Sequence, residues 1–134
     1  MQPPPRVARE PDVLKALLGV QVLLVDHDPD ARELLESVLS YGGAFVIPAA
    51  TADEARAYLR KSPVDVIVVE ADPAHKDAYW LVREIGARVP VVALGPRTDD
   101  GPERALDAAF RAHLHKPVDP WELCRVVGQL ARKP

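Results

Sequence analysis

Charged side chains stand where the short apolar runs of this chain end. Val22-Leu23-Leu24-Val25 leads into Asp26-His27-Asp28, Val66-Ile67-Val68-Val69 into Glu70, and Ala112-His113-Leu114-His115 into Lys116-Pro117. If the runs are neighbouring strands, their ends bring two carboxylates, an imidazole and an ammonium into one small acidic pocket. Carboxylates grouped in this way can hold a cation or be neutralised by a lysine. Other chemistry has weaker support. Asp28-Pro29 follows the first run, where a phosphate-cradling loop would need G-x-G-x-x-G. No nucleophile–base pair stands at an interpretable spacing. His75, His113 and His115 form no recognisable metal-ligand pattern with His27, so the spacing of the histidines gives a zinc site little support. Asp28 is most simply the cap of the following helix.

The elements that must position these residues follow from periodicity and punctuation. Strands are expected near 20–25, 44–48, 64–70, 89–94 and around His113. The run at 64–70 is continuously apolar, as in a strand covered on both faces. Asp28-Pro29 and Asp119-Pro120 each read as an N-cap followed by a proline at the first helical position. Thr51-Ala52-Asp53-Glu54 is a capping box opening a helix to about Lys61. Leu34, Leu35, Val38 and Leu39 form the apolar stripe of the first core helix, stopped by Gly42-Gly43. Further helices are expected to end near Ala87 and Arg111, and Leu123, Val127 and Leu130 face inward from the last one. Before the first strand, residues 1–11 read as a proline-rich arm. Asp12 caps a short extra helix ending at Gly19. The division is therefore 1–19, arm and extra helix, and 20–134, one domain.

Strands alternating with helices, joined by connections that fit crossover helices, give a parallel α/β sheet. The expected architecture is a flavodoxin-like three-layer α/β/α sandwich with five strands in the order 2-1-3-4-5. The site of such a fold lies at the carboxyl ends of the strands, where the order reverses. The net charge of −3 and the scattered basic residues argue against direct nucleic-acid binding. Cys124 is the single cysteine, so no internal disulfide forms. No stretch is long enough to span a bilayer, which makes the cytosol the expected location.

The Val-Asp that ends the first strand, the spacing to Glu70, and Lys116-Pro117-Val118-Asp119-Pro120 resemble the receiver domain of bacterial response regulators over about 20–132. The resemblance implies a role for each pocket residue. Asp26 matches the first of two acids that follow strand one, and His27 stands in place of the second. Glu70 stands in place of the phospho-accepting aspartate. Gly95 replaces the Ser or Thr that ends strand four. Lys116 matches the family lysine, with a cis bond to Pro117, and His113 takes the place of the switch aromatic. Asp77 matches the acid of the usual Asp-Gly pair, with Ala78 for the glycine.

Three of the residues that carry phosphotransfer are thus replaced. An imidazole is a poor ligand for Mg²⁺, so Mg²⁺ binding is expected to be weak or absent, and no cofactor is expected. If any metal binds, Asp26, Glu70 and Asp72 are the candidates. The extra methylene of Glu70 displaces the carboxylate from in-line geometry, and a protonated His27 could pair with Glu70. Trp80 and Trp121 sit where receivers carry polar surface residues. They are either interface anchors or are covered by the N-terminal segment.

The first reading is a non-enzymatic signalling receiver with a degenerate acceptor site, acting by protein contact. Its contact surface would be the last two helices and the last strand, or Trp80. Partners would be a histidine kinase, another regulator, an output domain or a second copy, with no nucleic acid and no membrane. Alternatives are a receiver phosphorylated on another acid, such as Asp72, and a flavodoxin-like small-ligand binder.

Overall fold

The computed structural model describes residues 16–72, 76–96 and 109–131. The arm at 1–11, most of the extra helix, His75 and the helix expected to end near Arg111 lie outside the described residues. The elements are β1 (Gln21–Val25), α1 (Pro29–Tyr41), β2 (Phe45–Ala49), α2 (Ala52–Lys61), β3 (Val66–Glu70), α3 (Asp77–Ile85), β4 (Val91–Leu94), β5 (Ala112–Leu114) and α4 (Pro120–Ala131). All strand pairs are parallel, and the order is β2-β1-β3-β4-β5. Among the described residues, no helix is long and apolar enough to cross a membrane.

Strand side chains alternate between two apolar layers, as the two-residue period of a strand requires. Leu23, Val25, Ile67, Val69, Val91 and Ala93 pack on one face with α2 and α3. Val22, Leu24, Val66, Val68, Val92 and Leu94 pack on the other with α1 and α4. Both faces being covered explains why these strands read as unbroken apolar runs. Each fully buried Val, Leu or Ile contributes roughly 1.5–3 kcal/mol relative to exposure.

The helix starts follow local chemistry. The Asp28 carboxylate accepts from the Asp30 N–H at 3.0 Å, with Pro29 opening α1. Thr51 Oγ1 accepts from the Glu54 N–H at 3.2 Å. Glu54 in turn reaches back to the N–H of Ala50 at 2.7 Å, one residue before the cap. Asp119 caps α4 through the N–H of Trp121 at 2.8 Å.

One expectation is corrected. Leu34 is 66% exposed and is not part of the α1 core stripe, which centres on Leu35 and Leu39. The reason is angular: Leu34 lies roughly 120° around the helix from the midpoint of Leu35 and Leu39. The described end of the N-terminal segment packs on the α1/α4 side, while the rest of that segment, and with it the expected cover over a tryptophan, lies outside the described residues. The Leu17 N–H donates to the carbonyl of Gly42 at 3.0 Å, and the Leu17 side chain is fully buried in that layer. Gly128 of α4 permits this approach, since a Cβ there would lie 3.0 Å from the Ala16 carbonyl oxygen.

Candidate functional site

The register sets the carboxyl ends of β1 and β3 side by side, with Val25 opposite Val69. Asp26 and Glu70 are the next residues along each strand. The cleft above them is small and open, about 210 Å³ including its mouth, and is lined by Asp26, His27, Ala50, Glu70 and Asp77 over a floor of Val25 and Val69.

Asp26 is 1% exposed. Its Oδ1 accepts from the N–H of Asp28 at 3.0 Å. Its backbone carbonyl accepts from the Arg32 guanidinium at 2.8 Å, which fixes the turn between β1 and α1. Oδ2 is buried without a hydrogen-bond partner. Burial pushes the Asp26 carboxyl above the usual carboxylate range. The nearby Glu70 carboxylate acts in the same direction, and the Asp28 N–H and Lys116 act against it.

Glu70 is held at both oxygens. Lys116 Nζ lies 2.6 Å from Oε2, and His27 Nδ1 lies 2.9 Å from Oε1. The glutamate side chain is 11% exposed, whereas His27 and Lys116 are about 40% exposed. Lys116 reaches the pocket from the end of β5, and the bond to Pro117 is cis.

Gly95 follows β4 with φ +131, a conformation that disfavours any side chain. Its N–H donates to the Leu114 carbonyl at 2.9 Å, and a Cβ would lie 2.8 Å from the Ala71 carbonyl oxygen. The glycine therefore lacks a hydroxyl and also has no room for one in this backbone path.

The metal-candidate set is corrected. The donors brought together are Asp26, His27 and Glu70, and Asp72 is not among them. Asp72 lies two residues beyond the end of β3, outside the cleft lining. Asp77 has a role that its spacing alone did not disclose. Its Oδ2 accepts from the N–H of Ala52 at 2.9 Å, tying the start of α3 to the start of α2 beside the cleft.

His113 sits on β5 opposite Ala93. Its ring meets Phe110 edge-on at 4.9 Å, and Phe110 meets Tyr79 edge-on at 5.7 Å. Phe110 was not singled out by sequence, because its burial depends on this aromatic contact. Trp80 is half-buried against the α2/α3 layer, and the Arg56 guanidinium lies 4.3 Å from its ring centre. The cover over Trp80 thus comes from α2. Trp121 is 40% exposed in the first turn of α4.

The resemblance to receiver domains implies Mg²⁺ at this donor set. Mg²⁺ takes hard oxygen ligands in near-octahedral geometry. Here one of three converging donors is an imidazole, and both Glu70 oxygens are already engaged. The residues do not fit Mg²⁺.

The family model described as "Response regulator receiver domain" matches residues 22–128. The chain is 35% identical over 122 residues to an "Uncharacterized 14.6 kDa protein in sodA1 3′region" of Leptolyngbya boryana, covering 87% of this chain and 93% of that one. It is 31% identical over 121 residues to the transcriptional regulatory protein AruR of Pseudomonas aeruginosa. That match covers 84% of this chain and 50% of AruR, so the chain spans about half the length of that regulator. Among solved structures, a response regulator receiver domain protein from Clostridium thermocellum shares the fold at TM-score 0.72 and 19% identity, covering 84% of this chain and 94% of the other.

Proposed function

The chain belongs to the response regulator receiver domain family, and from its pocket we propose a receiver that signals without accepting a phosphoryl group. The observation that carries this reading is the double engagement of Glu70 by Lys116 at 2.6 Å and His27 at 2.9 Å. In-line phosphoryl transfer needs a free nucleophilic oxygen and a metal beside it. In this pocket the carboxylate at the acceptor position is committed to two side chains of its own chain. Gly95 adds to the argument, because it offers no hydroxyl to bind a phosphoryl group.

The pocket then acts as a fixed structural latch, and the output is protein contact. Residues 20–134 form the interacting domain, preceded by the arm and extra helix of 1–19. Partners of the appropriate class are a histidine kinase, another regulator or an output domain. Trp121, exposed at the start of α4, is the stronger candidate anchor of the two tryptophans. Trp80, sandwiched between the core layer and Arg56, is the weaker candidate.

The test is intact mass with NMR shifts after incubation with Mg²⁺ and acetyl phosphate, beside a Glu70→Asp variant. The wild type is expected to gain no mass and to show no shifts. A gain of one phosphoryl group would overturn the reading, and mapping the label would distinguish Asp72 from other acids.

A further inference from the structure

We propose that the segment upstream of Ala16 lies along the seam between α1 and α4 of its own chain and closes that face to protein partners. Two rows of side chains border the seam. Leu34, Val38 and Tyr41 are spaced to share one side of α1. Trp121, Cys124 and Gly128 share one side of α4 in the same way. The rows meet where the Cys124 thiol lies 3.7 Å from the Val38 carbonyl. Around that meeting point the rims are open, with Leu34 66%, Tyr41 47% and Trp121 40% exposed. Large apolar side chains grouped along one seam, unlike singly scattered ones, mark a surface that something covers.

The occupant is the chain's own N-terminal segment, because its last described residues already sit in the seam. Leu17 is fully buried, and its N–H donates to the Gly42 carbonyl just past the end of α1. Two glycines make the space. A Cβ on Gly42 would lie 3.0 Å from Leu17 Cδ1, and one on Gly128 would lie 3.0 Å from the Ala16 carbonyl oxygen. The chain therefore continues upstream from a point on the Trp121 side of α4.

Sequence and reach both suit this occupant. Ala16 is helical, and in a helix the residues three and four positions before Leu17 stand on its side. Those residues are Leu14 and Val13, both apolar. Farther upstream stand Pro3, Pro4 and Pro5. Trp121 is two turns of α4 from Gly128, about 10 Å, whereas residues 1–11 extended as polyproline cover about 30 Å. Proline-rich segments dock on aromatic side chains with little loss of chain entropy, and Trp121 and Tyr41 offer the rings. A partner anchored on Trp121 must then displace the arm first. This deepens the protein-contact reading, but occupancy of the seam stands whether or not Glu70 accepts a phosphoryl group.

The experiment places a nitroxide on the full chain through Ala8→Cys, the native Cys124 being buried. Signals of ¹⁵N-enriched protein are compared before and after the label is reduced. The Trp121 indole N–H and the amides of Leu34 and Tyr41 are expected to lose most of their intensity. The Trp80 indole, which belongs to the opposite layer, keeps its own. Adding Val13→Asp and Leu14→Asp to the labelled chain should restore the Trp121 signal, and an unchanged Trp80 signal verifies that this variant folds. Mixing labelled, unenriched chain with unlabelled, enriched chain separates the sources of the arm. No loss in the mixture is expected. A loss there as large as within one chain would assign the arm to a second copy and overturn the proposal. An undiminished Trp121 signal in the labelled chain, or a loss that the two aspartates leave unchanged, would overturn it as well.

Discussion

Lys116 Nζ lies 2.6 Å from Oε2 of Glu70, joining the end of β5 to the end of β3 across β4. The glutamate is nearly buried and the lysine is 43% exposed, so the pair falls between a surface ion pair and a buried one. Lys116→Met leaves the Glu70 charge beside Asp26 without its ammonium. The expected cost is about 1–2 kcal/mol, between surface-pair and buried-pair values. Glu70→Gln in the same chain should recover part of it, because the orphaned charge is then gone. Urea unfolding of the two single variants and the double variant measures the coupling. Additive losses would mean that the contact contributes no coupling energy.

Asp26 gives a prediction of opposite sign. Burial raises its pKa from 3.8, so between that value and its folded-state value the native chain binds more protons than the unfolded one. Stability therefore falls as pH rises through this window. Asp26→Asn removes the buried charge and provides an amide donor toward Glu70. In the presence of chelator it should be more stable than the wild type at pH 7 by about 1 kcal/mol, a rise in Tm of a few degrees. The advantage should shrink as pH is lowered through this window and level off below about 3.8. A variant less stable than wild type at pH 7 would reverse the assignment of Asp26 as a destabilised group.

Much of this arrangement is written in local sequence. The strands were legible because apolar layers on both sides of the sheet impose unbroken runs on β1, β3 and β4. Asp28, Thr51 and Asp119 were legible because a cap is a contact within a few residues. The meeting of Glu70 with Lys116 was legible through the family resemblance and the expected strand order. Contacts set by tertiary packing were not legible. Arg56 reaches Trp80 from another helix. The stripe on α1 has an edge that depends on where the sheet lies, and Leu34 falls outside it. Among the metal candidates, Asp26 and Glu70 were legible from the strand ends, whereas the convergence of His27 with them depends on the loop path after β1.

Cys124 is buried, and burial pushes its thiol up to about 11. The thiolate is the reactive form, so both access and ionisation protect the side chain. Ellman's reagent at pH 8 should label the folded chain only as fast as it opens, and labelling should accelerate in urea along the unfolding curve. Rapid labelling of the native chain would mean that α4 separates from α1 far more readily than global unfolding allows, since the Cys124 thiol lies 3.7 Å from the Val38 carbonyl.

Gly95 decides whether the family's hydroxyl can simply be put back. Its φ of +131 disfavours any L side chain, and the carbonyl oxygen of Ala71 lies 2.8 Å from where a Cβ would sit. Backbone, not a flexible side-chain end, blocks the position, so relief requires the β3 and β4 ends to part. Gly95→Ser and Gly95→Ala should therefore lose stability alike, by about 1–3 kcal/mol, because the cost comes from the shared Cβ and not from the hydroxyl. It follows that adding Gly95→Ser to Glu70→Asp should fold less stably than Glu70→Asp alone. Thermal unfolding of the wild type and the four variants checks this. A serine variant as stable as the wild type would show that the strand ends yield easily, and that the missing hydroxyl is a matter of residue identity and not of backbone path.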